Sequence, residues 1–186
     1  MDSIVQAIPL HPQWMQPKMF ENRYELRSGD QVFATLMFPK AFGSLAMAAT
    51  SDGQWTFKRV GFFNIRMSIR VEGQETDLAI YHPRWTGTQG TLNFTGGVSY
   101  VWKVANFWAT EFVWEDASGN NLMTFRPGVE DANLDDLFKI QARVEFQPDS
   151  SRIKDISLLA VFGWYLMILK QQDDAGAVAA TTAAVG

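Results

Sequence analysis

The run Ile156 to Leu169, ISLLAVFGWYLMIL, limits what the chain can fold into more than any other stretch. Its fourteen positions are interrupted only by Ser157 and Gly163. A helix that spans a bilayer needs roughly 20 apolar residues, and runs of about 10–14 are more often buried core helices. Asp155 precedes the run, where a carboxylate can cap free N–H groups, and Lys170 follows it, where a cation complements a helix C-terminus. Wrapped at 100° per residue, the run has no polar side: Leu159, Phe162, Leu166 and Leu169 share one face, and Val161, Trp164, Tyr165 and Ile168 cover the rest. Such a helix must be surrounded on all sides, by protein or by lipid. About ten large apolar side chains at roughly 1.5–3 kcal/mol each amount to about 15–30 kcal/mol of gross burial. A half-exposed surface helix forfeits much of that.

What precedes the helix reads as β-strand. Alternation and turn residues mark strands at 23–27, 31–38, 44–49, 54–60, 63–72, 75–81, 91–95, 98–104, 107–115, 122–126 and 137–146. The 63–72 strand is among the clearest, with Ile65, Met67, Ile69 and Val71 against Asn64, Arg66, Ser68 and Arg70. Turns fall at Ser28-Gly29-Asp30, Ser51-Asp52-Gly53, Glu72-Gly73-Gln74 and Gly119-Asn120. Eleven or twelve strands with short connections and no βαβ rhythm make a largely antiparallel sheet. Twelve strands about 4.8 Å apart, tilted about 40°, close into a barrel roughly 24 Å across. Lined with side chains, it has room for one helix about 10–12 Å wide. The expected fold is therefore mainly β: a closed antiparallel barrel of about twelve strands around the C-terminal helix. Residues 1–20, with Pro9, Pro12 and Pro17, read as an extended arm, 21–172 as the barrel with its helix at 155–171, and 173–186 as a flexible, low-complexity tail.

At this level the chain resembles the tubby C-terminal-like superfamily, which includes the phospholipid scramblases and the plant LURP-one-related proteins. The resemblance rests on the Tyr24-Glu25-Leu26 strand with its Gly29 turn, Gly53-x-Trp55-x-Phe57-Lys58, the Trp108 to Trp114 strand with Asp116 and Gly119-Asn120, and the Asp155 to Leu169 helix. It covers about residues 21–172 and lies in spacing and order. It implies a twelve-stranded barrel closed around a hydrophobic C-terminal helix, and little about activity: tubby-like proteins bind phosphoinositides, scramblases are associated with calcium-dependent lipid movement, and this sequence departs from both. The chain lacks the Pro-rich and Cys-rich segments typical of scramblases. The tubby lipid-binding residues have no match at corresponding positions, so none is carried over.

Composition narrows the chemistry. Net charge is −4, which gives no electrostatic case for nucleic acid. There is no Cys, hence no disulfide or thiolate nucleophile. The two His, His11 and His82, stand apart in the sequence, and no G-x-S-x-G, P-loop or H-E-x-x-H occurs. Catalysis is not expected, and neither a cofactor nor a metal is called for. Residues 130–136 carry four carboxylates without EF-hand spacing and read as a solvated acidic loop. Glu111 and Glu115 read as a solvated face, and Trp102, Trp108 and Trp114 as core around the helix. The surface feature that stands out is basic. Lys58, Arg66 and Arg70 share the outward faces of two adjacent strands, Arg66 and Arg70 about 13 Å apart. They are the candidate ligand-binding residues for an anionic phospholipid or phosphoinositide, with an ordinary solvated face as the alternative. The expectation is a non-catalytic, cytoplasmic or peripheral membrane module that meets anionic lipid. A protein-interaction module with no lipid role, using the arm or an exposed edge, is the other reading.

Overall fold

The computed structural model describes residues 1–18, 21–41, 43–108, 110–128 and 141–185, with side chains described as far as residue 177. The described strands are β1 (Gln13–Met15), β2 (Arg23–Ser28), β3 (Gln31–Met37), β4 (Ala46–Thr50), β5 (Gly53–Val60), β6 (Arg66–Val71), β7 (Ala79–Pro83), β8 (Gln89–Phe94), β9 (Ser99–Val104), β10 (Phe112–Glu115), β11 (Asn121–Pro127) and β12 (Ala142–Phe146). Each pairs antiparallel with its chain neighbours, and β1 pairs with β12, so the sheet is a closed barrel. An up-and-down barrel closes antiparallel only with an even number of strands, and twelve satisfies that condition. A short helix, α1 (Ile4–Ala7), precedes β1, and the long helix α2 (Ile156–Val185) follows β12.

Alternation along the strands sends one row of side chains inward. In β2, β4 and β12 the buried positions are Tyr24 and Leu26; Ala46, Ala48 and Thr50; and Ala142, Val144 and Phe146. These rows need a partner, and the apolar part of α2 is that partner. From Ile156 to Leu169 every described side chain but Met167 is buried. The wall surrounds the helix with rings. Trp164 stacks on Trp14 at 5.5 Å and meets the edge of Tyr24 at 5.7 Å. Phe162 contacts Phe57, Tyr81 and Trp114, and Tyr165 contacts Phe38 and Phe57. Gly163 faces Phe125 and Trp114 so closely that a methyl group there would stand 2.6 Å and 2.8 Å from them. Polar ties fix both ends: Ser157 Oγ donates to the Asp52 carboxylate, and Tyr165 Oη donates to the Ser44 carbonyl at 2.7 Å.

Several details differ from the sequence expectation. The strand read at 63–72 starts only at Arg66, so Ile65 lies in a loop and is exposed, and the strand read at 75–81 starts only at Ala79. The arm is partly barrel wall, because β1 supplies the closing strand and Trp14 is fully buried. The helix runs on past Lys170 to Val185 through the stretch read as a tail. Alanine is the best helix former, and extending an existing helix needs no new nucleation. The side chain of Asp155 accepts a hydrogen bond from Tyr100 Oη at 3.1 Å, which ties the helix start to β9. Finally, the strand expected from Phe107 begins only at Phe112, so Trp108 lies in a loop and is 79% exposed, not core. The acidic segment 130–136 and the first part of the 137–146 strand lie outside the described residues.

Candidate functional site

In an up-and-down barrel alternate hairpin loops lie at the same rim. The β5–β6, β7–β8 and β9–β10 loops therefore share one rim, which is also where α2 emerges. Each of these loops is shaped by its own backbone and holds aromatic rings in solvent.

In the β5–β6 loop Gly61 has φ +89°, and a Cβ there would stand 2.2 Å from the Asn64 carbonyl oxygen. Only glycine fits that turn. It lifts Phe62 and Phe63 outward, 85% and 98% exposed, with their rings edge to face at 5.0 Å. In the β7–β8 loop the Arg84 N–H donates to the Gln89 carbonyl and the Gly87 N–H to the Arg84 carbonyl, a tight turn that leaves Trp85 97% exposed. In the β9–β10 loop the Asn106 side chain accepts from the Thr110 and Glu111 N–H groups and donates to Thr110 Oγ1. That amide holds the base of a loop tipped by Phe107 and Trp108, edge to face at 5.2 Å. Five large rings thus stand clear of the barrel on three successive loops. Exposed aromatic side chains gathered at one rim in this way point to an interaction site.

Behind the loops the rim opens into a cavity of about 710 Å3 between α2 and the wall. Its floor is Met67, Tyr81, Trp102, Phe112 and Leu166. Tyr81 lies across β8 because position 90 is glycine: a Cβ on Gly90 would meet the Tyr81 ring at 2.1–2.7 Å. Burial raises the Tyr81 and Tyr165 hydroxyls well above the usual tyrosine range, so both stay neutral. Charges gather at the mouth. Arg59 holds Asp173 through three hydrogen bonds of 2.7–3.1 Å, and Lys170 pairs with Asp174 at 2.8 Å. Arg84 makes no ion pair among the described residues.

The structure places Lys58, Arg66 and Arg70 on one outer face, as the alternation predicts. Lys58 is opposite Ser68 in the β5–β6 register, and Arg66 and Arg70 flank Ser68 on β6. The three are not equivalent. Arg70 is bound by Asp77 at 2.7 Å, and Ser68 Oγ donates to the same carboxylate. These two hydrogen bonds, with the charges of Arg70 and Arg66, hold the Asp77 carboxyl below its usual range. Arg66 starts β6 beside the aromatic rim, and Arg70 lies about 13 Å further down the strand. Lys58 and Arg66 make no ion pair among the described residues, so they are the available cations of this face.

His11 precedes β1 and His82 is near the end of β7, so the two are at opposite ends of the barrel. Glu111 is engaged by Arg126 and Glu115 by Lys103, so these carboxylates serve the sheet surface. Sequence reasoning missed Phe62, Phe63, Trp85 and Phe107 as exposed groups. The available signal was aromatic residues beside turn formers, in Gly61-Phe62-Phe63-Asn64 and Trp85-Thr86-Gly87. Comparison with known proteins finds no matching family model, curated protein or solved structure.

Proposed function

We propose that the protein is a non-catalytic module of tubby-like type that docks on membranes containing anionic lipid. The five exposed rings on three neighbouring loops carry this reading. Phe62, Phe63, Trp85, Phe107 and Trp108 are 79–98% exposed at one rim, at a cost that a binding surface offsets. Aromatic side chains favour the boundary between lipid and water. Lys58 and Arg66 stand beside this rim and would face the headgroups. Each cation near an anionic membrane surface contributes about 1 kcal/mol, screened by salt. The closed twelve-stranded barrel around its helix supports the tubby-like part of the reading. Among the described residues no helix is long and apolar enough to cross a membrane, so the rim loops are the proposed point of contact. The reading in which the arm meets a protein partner has less to work with, because residues 13–15 are barrel wall.

Co-sedimentation with phosphatidylserine-containing and pure phosphatidylcholine vesicles tests the proposal. Binding should favour the anionic vesicles and weaken as salt rises. Replacing Phe63, Trp85 and Trp108 together by Ser should abolish it. Neutralising Lys58 or Arg66 with Gln should weaken it roughly fivefold each, from about 1 kcal/mol per cation. Reversing Arg70 should change it little. Binding that survives the triple Ser variant refutes the docking surface.

A further inference from the structure

We infer that the rim cavity is a binding site for a single-chain amphiphile with an anionic head, a fatty acid or an alkyl phosphate. This rests on the membrane reading for the source of the ligand, and on separate observations for the site.

Three observations lead there. First, a cavity of about 710 Å3 is within the range of roughly 300–1,000 Å3 typical of small-molecule sites. Second, its floor is apolar and reachable. Tyr81, Phe112, Trp102, Met67 and Leu166 keep 3–7% of their surface exposed, whereas Trp114 and Phe162 beneath them keep none. The opening therefore ends on a closed layer of rings and does not run through the barrel. Such a floor is mostly carbon and suits a hydrocarbon chain. Third, the mouth has one unmatched charge. Asp173 and Asp174 are taken by Arg59 and Lys170, which leaves Arg84 as the lining cation with no ion pair among the described residues. An anion at the mouth meets Arg84 while its chain enters toward Trp102 and Phe112. Trp85, next to Arg84, would be in the interface when the loops dock, so the entrance opens where lipid monomers are.

The test uses full-length protein and titration calorimetry with decanoate, dodecanoate and tetradecanoate below their micellar concentrations, with dodecyl phosphate and dodecanol as head-group arms. No vesicles are present. Affinity should rise about fifteenfold for every two methylenes added, from about fourfold per methylene. Both anions should bind more tightly than dodecanol. Arg84→Glu should weaken the anions at least tenfold and leave dodecanol unchanged. Val104→Trp, which fills the cavity from the end of β9, should abolish binding of all five ligands. Affinity independent of chain length, anion binding unchanged in Arg84→Glu, or binding unchanged in a Val104→Trp variant with wild-type circular dichroism would each overturn the site. If Val104→Trp does not fold, the chain-length series and Arg84→Glu decide. Vesicle binding that persists in a protein with no affinity for dodecanoate rejects the cavity and leaves the docking reading standing. Dodecanoate binding without vesicle binding does the reverse.

Discussion

Replacing Gly163 by Ala pits helix propensity against packing within one residue. In an ordinary helix interior the change is favourable by about 1 kcal/mol, since glycine loses more backbone freedom on folding. At Gly163 the new methyl would stand 2.6 Å from Phe125 Cζ, 2.8 Å from Trp114 Nε1 and 2.9 Å from Phe125 Cε2. Both rings are fully buried, and Trp114 also touches Tyr81, Trp102 and Phe162, so neither has empty space to enter. Overpacking costs about 1–3 kcal/mol, and two caged rings that must yield together place this case in the upper half, roughly 2–3 kcal/mol. The net is a loss of roughly 1–2 kcal/mol. For a chain of this length that lowers Tm by roughly 2–8 °C. Gly176 is the internal control. It lies in the same helix outside the barrel, and a Cβ there meets nothing within 4 Å. Gly176→Ala should be neutral or stabilising by up to about 1 kcal/mol. Urea denaturation of both variants, followed by near-ultraviolet circular dichroism, gives the comparison. A Gly163→Ala protein as stable as the wild type or more so would refute the idea that close approach to Phe125 and Trp114 is what requires glycine.

Leu159→Arg should yield no folded protein, because Leu159 is fully buried and an unpaired charge in that interior has no partner; a variant with wild-type near-ultraviolet dichroism would contradict the enclosed position of the helix. Gly90→Ala should displace the Tyr81 ring and cost about 1–3 kcal/mol by overpacking, measured as a lower urea midpoint. Asp77→Asn should cost up to about 1 kcal/mol at pH 7, the scale of a partly exposed ion pair. Because the folded carboxyl titrates below its ordinary value of 3.8, its contribution is complete above that pH and is lost as pH falls through the lowered folded value. The stability gap between wild type and Asp77→Asn should therefore narrow as pH falls below 3.8, and a gap that does not change with pH in that range would contradict the assignment.

The enclosed helix and the barrel were legible because their signals are collective. An apolar run with no polar side and strands with period-two alternation require each other, and errors at single residues do not change the conclusion. Short or local features were not legible. β1 is three residues long and sits among prolines, so its pairing with β2 and β12 is decided by the barrel and not by its own pattern. The apolar letters of 107–115 run from loop into strand without a break, which hid the loop carrying Trp108. That Arg66 and Arg70 share a strand face follows from their spacing of four on one strand. Asp77 was missed as the partner of Arg70 because the pattern runs a strand from 75, whereas β7 starts only at Ala79 and leaves Asp77 on the connection from β6.

The position of α2 in the chain has a consequence for how the molecule is made. All twelve strands are synthesised before the helix that fills them. Until residues near 169 have left the ribosome, the inward rows of β2 to β12 have nothing to enclose, and the tie between Asp52 and Ser157 spans about a hundred residues. Neighbouring strands can pair as they emerge, but the closures that complete the interior, β1 on β12 and α2 within the wall, join distant parts of the chain and come last. Before those closures the strands present apolar faces and open edges, the surfaces on which aggregation begins. Translation speed and holding chaperones should therefore govern the yield of this protein more than the stability of the finished barrel does.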